Sequence, residues 1–168
     1  MNALWRKTPA PEELIEQAAL RRQIYRVQAT CFLDPPDEEL LAFLGENYPH
    51  LLDGEENTVT EEGLKALRVD FTNLFLLSSP PYEAALMDES GHLNSKATDR
   101  VTDFYRATGF NPGLGSGGSR HSGLLAMDHI SAELEFLSHL AGREEVAWQE
   151  GNRELAVQSL NHTAQFME

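Results

Sequence analysis

Apolar and polar positions along this chain recur at steps of three and four, the rhythm of helices with one covered face. The first such stretch predicts a helix from about Glu12 to Phe32 with Leu20, Ile24, Val27 and Cys31 on one stripe. Thr8 with Pro9 and Pro11 begins it, and Asp34-Pro35-Pro36 ends it. Pro36 and Asp37 open a second, shorter helix whose Leu40, Leu41, Phe43 and Leu44 stop at Gly45, and Asn47 to Asn57 reads as loop. Thr60, followed by Glu61 and Glu62, starts a third helix with Leu64, Leu67, Phe71, Leu74 and Phe75 on its stripe, finished before Pro80. Ser78-Ser79-Pro80-Pro81-Tyr82 is a rigid, partly aromatic loop, because proline removes a donor and pushes the residue before it to extended geometry. Asp88 to Gly91 is a turn, and a fourth helix of about Thr98 to Thr108 carries Val101, Phe104 and Tyr105 and stops at Gly109.

Five glycines between Gly113 and Gly123 form a linker. Beyond it, Leu124 to Leu140 is the most regular segment, with Ile130, Leu134, Leu137 and Leu140 as a core stripe. Asp128 is expected to cap that helix, its carboxylate accepting from a free N–H of the first turn, and Gly142 to close it. From Arg143 to Glu168, Val146, Trp148, Leu155, Leu160, Ala164 and Phe166 give a weaker helical pattern broken at Gly151-Asn152, with no stop signal at its end, as in a chain that continues. No strand pair emerges. The expectation is a single all-α domain over residues 1–168, with helical halves of about 1–110 and 124–168 joined by a Gly-rich hinge at 111–123. Such a linker permits a monomer or a domain-swapped dimer.

Charge narrows the partners. With 13 basic and 27 acidic residues the net charge is -14, which repels nucleic acid and welcomes a cationic peptide. No apolar run reaches the ~20 residues of a membrane span, so no stable membrane insertion is expected. Met1 to Pro11 has no apolar core behind Arg6-Lys7, unlike a secretory signal. Cys31 stands alone, so no internal disulfide forms, a reducing compartment fits, and its place on an apolar stripe makes it a structural thiol.

Gly113 to Gly118 matches G-x-G-x-x-G, but a helix precedes it and more loop follows, where a dinucleotide fingerprint needs a strand before and a helix after. Asp128, His129, Ser131 and His121 raise a hydrolase reading, yet adjacent Asp and His diverge on a helix. His129 and Glu133 share a face as metal ligands would, without a third ligand at recognisable spacing, and His139 lies at the far end of the helix. Phe71, Leu74, Phe75, Pro81 and Tyr82 exceed what one small helix face needs, which points either to core or to a peptide-binding surface.

Several segments in order resemble one family, the TorD/DmsD/NarJ redox-enzyme maturation chaperones. They are Ile24-Tyr25, Phe32-Leu33-Asp34-Pro35-Pro36-Asp37-Glu38-Glu39-Leu40-Leu41, Asp70-Phe71-Thr72-Asn73-Leu74-Phe75-Leu76, Pro80-Pro81-Tyr82-Glu83, Val101-Thr102-Asp103-Phe104-Tyr105 before Gly109-Phe110, and Asp128-His129-Ile130-Ser131-Ala132-Glu133-Leu134-Glu135-Phe136. The resemblance implies an all-helical cytoplasmic chaperone, not an enzyme and without cofactor or metal. It would bind the leader, often twin-arginine, and the apo form of a molybdenum- or tungsten-cofactor oxidoreductase subunit, assist cofactor insertion and delay export. Carried onto this chain, the leader-binding positions are Tyr25, Phe71, Leu74, Phe75, Pro81, Tyr82, Asp128 and His129. The chain departs from the family pattern at Leu125 and Ala126, where Glu-Pro is usual, and at Ala84, where serine is common; relatives also extend one or two helices further. A small metal protein or hydrolase centred on Asp128 and His129, and a general helical scaffold, are the alternatives.

Overall fold

The computed structural model describes residues 9–49, 60–78, 81–87, 96–112 and 127–168. The Gly-rich linker, the turn at 88–91, the loop at 50–57, Thr8, Pro80, His121, Leu125 and Ala126 lie outside the described residues. The rest is all-α: α1 (Pro11–Leu33), α2 (Glu38–Asn47), α3 (Glu61–Phe71) running into a π-helical segment (Thr72–Ser78), α4 (Glu83–Met87), α5 (Lys96–Thr108), α6 (Ile130–Gln149) and α7 (Arg153–Phe166). Among the described residues no helix is long and apolar enough to cross a membrane.

Most helix ends obey local chemistry. Asp37 Oδ1 accepts from Leu40 N at 2.8 Å, Thr60 Oγ1 from Gly63 N at 3.1 Å, and Asn152 Oδ1 from Leu155 N at 3.1 Å, each satisfying a first-turn donor. Gly109 (φ 72°) and Gly151 (φ 70°) take the left-handed conformation that stops α5 and separates α6 from α7.

Two glycines expected to end helices do not. Gly45 lies inside α2, which runs on to Asn47, and Gly142 lies inside α6. A Cβ on Gly142 would come within 3.2 Å of the Arg22 side chain, so this glycine serves the close approach of α1 to α6.

That approach explains a second correction. The stripe expected on α1 is largely uncovered, with Leu20 57% exposed and Ile24 also exposed, while α1 buries Ala18 and Ala29. Small residues pack the facing side of α6 too: Ala132, Ser138, Ala141 and Ala147 are buried, whereas Ile130, expected in the core, is exposed. Polar groups then fix the register. Ser138 Oγ donates to Arg22 O at 3.0 Å, and buried Glu144 accepts from Arg21 at 2.5 Å and from Trp148 Nε1 at 3.1 Å. Arg22 pairs with Glu145 at 3.2 Å.

The large apolar side chains gather on the other side of α6. Phe136, wholly buried, meets Tyr105 of α5 at 4.9 Å between ring centroids, Phe166 of α7 at 4.8 Å and Phe110 at 5.3 Å, with Val101, Leu137 and Leu140 completing the core. Full burial of one such side chain contributes roughly 1.5–3 kcal/mol.

α3 and its extension are different. Only Leu64 of α3 is buried, while Leu67 is exposed; Leu74, Leu76 and Leu77 on the π segment are 52%, 61% and 73% exposed. The π turn is wider than an α turn and shifts the apolar positions off the three-and-four stripe that predicted one covered face. Phe75 meets Phe71 at a tilt, 4.9 Å between ring centroids, and Phe32 edge-on at 5.3 Å, and thereby ties the π segment to the end of α1. Cys31, next to Phe32 in the chain, is half-buried, and burial pushes its thiol pKa up.

Candidate functional site

A two-stranded contact brings residues 81–84 against residues 128–130, far apart in sequence. Tyr82 and His129 form an isolated antiparallel bridge: Ile130 N donates to Pro81 O at 2.8 Å and Glu83 N donates to Asp128 O at 3.0 Å. The local chemistry favours this. Pro81 has no N–H and offers its carbonyl, and the residues just before α6 have not yet entered the helix, so their backbone groups are free to pair.

Asp128 caps a helix, but not its own. Its Oδ2 accepts from Ala84 N at 3.0 Å, satisfying a first-turn donor of α4, a helix of five residues for which no sequence pattern spoke. The N-cap of α6 is instead His129, whose Nδ1 accepts from Ser131 N at 3.1 Å. The imidazole lies edge-on to the Tyr82 ring at 5.0 Å. Burial pushes the His129 pKa below its usual value, with Asp128 pulling it partly back. A neutral ring with an unprotonated Nδ1 is what the capping bond needs.

This arrangement answers the hydrolase question in geometric terms. In a relay the carboxylate accepts from Nδ1–H of the histidine. Here Nδ1 is itself an acceptor and Asp128 is engaged by Ala84, so the two side chains form no such pair. Among the described residues no group of three or more His, Cys, Asp or Glu side chains could hold a metal ion.

The clasp is anchored from below. Tyr105, buried in the core, donates its hydroxyl to Met127 O at 3.0 Å, and burial together with Glu133 and Asp128 pushes its pKa up. Arg100 of α5 holds both carboxylate oxygens of Glu83 at 3.0 Å, donates to Phe166 O at 3.1 Å and lies 5.5 Å over the Phe166 ring. Glu133, one turn into α6, feels burial first and then Glu83, with Arg100 opposing and Asp128 adding; its carboxyl is pushed up to about 7.

Of the eight residues expected at the site, the structure brings four together: Pro81, Tyr82, Asp128 and His129. Phe71 and Phe75 pair with each other beside Leu74, three residues before the loop begins, and their ring contacts run to Phe32 and not to Tyr82 or His129. Tyr25 packs, half-buried, against the aromatic core. Glu133 stood out in the sequence only as a companion of His129 on one helix face, and Glu83 and Arg100 gave no signal as a pair. A carboxylate opening a short segment and an arginine 17 residues later carry no periodic signal, and only the fold unites them.

No curated protein matches the chain at a significant level. Among solved structures it is similar to a proposed redox enzyme maturation protein from Archaeoglobus fulgidus, at 21% identity and a TM-score of 0.45 over 100% of both chains. The family model described as nitrate reductase delta subunit matches residues 33–168, which span α2 through α7 and every part of the clasp. The chain therefore belongs to the nitrate reductase delta subunit family, the NarJ/TorD type of redox enzyme maturation chaperones.

Proposed function

We propose that this chaperone works in the cytoplasm on the leader, of twin-arginine type, and the apo form of a molybdenum- or tungsten-cofactor oxidoreductase subunit. It holds the subunit ready for cofactor insertion, delays export, and performs no chemistry of its own. A leader of this kind offers cationic side chains followed by an apolar stretch. The observation that carries the reading is a run of exposed apolar side chains, Leu74, Leu76 and Leu77 on the π segment, that stands in sequence just ahead of Pro81, Tyr82 and Glu83. The overall charge of -14 supports it by drawing in a cationic partner and predicts binding that weakens with salt.

Titration calorimetry with a synthetic peptide bearing two adjacent arginines and an apolar stretch tests the proposal. Tyr82→Ala and Leu74→Ser should each weaken binding about tenfold, the loss of a ~1.4 kcal/mol contact, with helix content by circular dichroism unchanged. Wild-type affinity in both variants would remove these residues from the leader site.

A further inference from the structure

We propose that the groove lined by Arg22 of α1, Arg143 and Val146 of α6 and Leu155 of α7 binds a small apolar carboxylic acid in its ionised form. The carboxylate sits between the two guanidinium groups and the apolar body lies against Val146 and Leu155. This goes beyond the leader-binding reading and does not rest on it.

The groove encloses about 490 Å³, within the range of small-molecule sites, and three helices build it. Gly142, also in its lining, adds no side chain to it, and a Cβ there would press on the Arg22 side chain at 3.2 Å. The clasp is elsewhere. His129 and Arg143 stand 14 positions apart along α6, about 21 Å at the rise of an α-helix.

Positive charge is scarce in a chain with 13 basic against 27 acidic residues, yet two arginines meet at this one groove. Neither is fully engaged. Arg22 Nε lies 3.2 Å from Glu145 Oε2, a charge pair without a well-aligned hydrogen bond, and its terminal nitrogens have no partner among the described residues. Arg143 reaches Thr108 O through one terminal nitrogen at 3.4 Å, a long contact. Glu145 offsets one of the two charges, and Glu144 is committed to Arg21 and Trp148. His139, in the same lining, adds no charge at pH 7, because burial and then Arg143 push its pKa below the usual value. The balance is a single positive charge, which suits a monoanion better than a doubly charged phosphate. A carboxylate also matches the planar fork of a guanidinium. Val146, 46% exposed, and Leu155 supply apolar surface that the body of such an acid would cover.

The test titrates phenylbutyrate, its neutral amide, acetate and inorganic phosphate at pH 7 into isotope-labelled protein followed by NMR. Phenylbutyrate should bind with a Kd of about 1 mM or tighter. It should move the amides of Gly142, Arg143, Val146 and Leu155 and leave those of Tyr82 and His129 in place. The amide, acetate and phosphate should each bind about tenfold more weakly, having lost the charge, the apolar body or the single negative charge. Arg143→Gln should weaken phenylbutyrate about tenfold, and Arg143→Lys should keep part of the affinity, since charge remains without the fork. If Arg143→Gln loses its dispersed spectrum, Arg22→Gln takes its place with the same expectation. Equal binding of acid and amide, binding of acetate or phosphate as tight as that of phenylbutyrate, or shifts confined to Leu74, Leu76 and Leu77 would each overturn the site. So would a blocked Phe-Glu peptide that shifts the groove amides where the free acid does not, because the occupant would then be a protein. The arginine-pair peptide should bind unchanged in saturating phenylbutyrate; competition between them would merge the groove with the leader site and end the proposal, whereas failure of that peptide alone leaves it standing.

Discussion

Where α1, α6 and α7 meet, the molecule spends small and polar side chains on precision; where α3 runs into the π segment, it leaves large apolar ones in water. On the first side Ala18, Ala29, Ala141 and Ala147 let helices approach closely, Glu144 is matched to both Arg21 and Trp148, and Phe136 fills the space behind. On the second side Leu67, Leu74, Leu76 and Leu77 have little protein over them. A folded domain gains nothing for its own stability from such exposure. The contrast separates the part that holds the fold from the part left uncovered.

The sharpest way to break the comparison is to remove the largest buried ring. Phe136→Ala should destabilise by about 3–5 kcal/mol, since three aromatic neighbours cannot all collapse into the cavity. For a chain of this length each kcal/mol lowers the melting temperature by about 2–4 °C. A drop of only a degree or two in thermal unfolding would mean that the core sits elsewhere.

Asp128 should give a smaller and more local effect. Asp128→Ala removes the cap on α4 at a cost of about 0.5–2 kcal/mol, and hydrogen exchange should quicken at Ala84 and its α4 neighbours while the amides of α6 stay protected. Asp128→Asn retains an acceptor for Ala84 N and should spare α4. Uniform acceleration across α6 and α7 would show that the clasp and core unfold as one.

These two residues also mark how far the chain could be read without coordinates. The caps at Asp37, Thr60 and Asn152 act within three residues, and all but the last were legible as helix starts. Asp128 was recognised as a cap but assigned to the wrong helix, because its donor lies 44 positions away, on a segment too short to show a period. The α1–α6 seam was misread for another reason. Periodicity weights large apolar side chains, so Leu20, Ile24 and Ile130 stood out, whereas close helix contact selects alanine, serine and Gly142, which carry almost no hydrophobic signal. The family resemblance supplied Pro81, Tyr82, Asp128 and His129 together; no spacing rule would have joined them.

The least disruptive probe is pH, because two histidines and Glu133 titrate with opposite sign. Burial lowers the pKa values of His129 in the clasp and of His139 in the core, the latter with help from Arg143. The unfolded chain therefore takes up protons first as pH falls below the ordinary histidine value near 6.5, and stability, complete above that value, declines beneath it. Glu133 runs the other way. Its folded value of about 7 lies above the ordinary 4.5, so its contribution is fully present below 4.5 and is lost as pH rises through 7. In the wild type the two trends oppose each other between pH 4.5 and 7. Glu133→Gln deletes one of them, so its melting temperature relative to the wild type should climb from pH 5 to about pH 7 and level off above it. A constant offset across that range would place Glu133 in an ordinary solvated environment and detach it from Glu83 and Asp128.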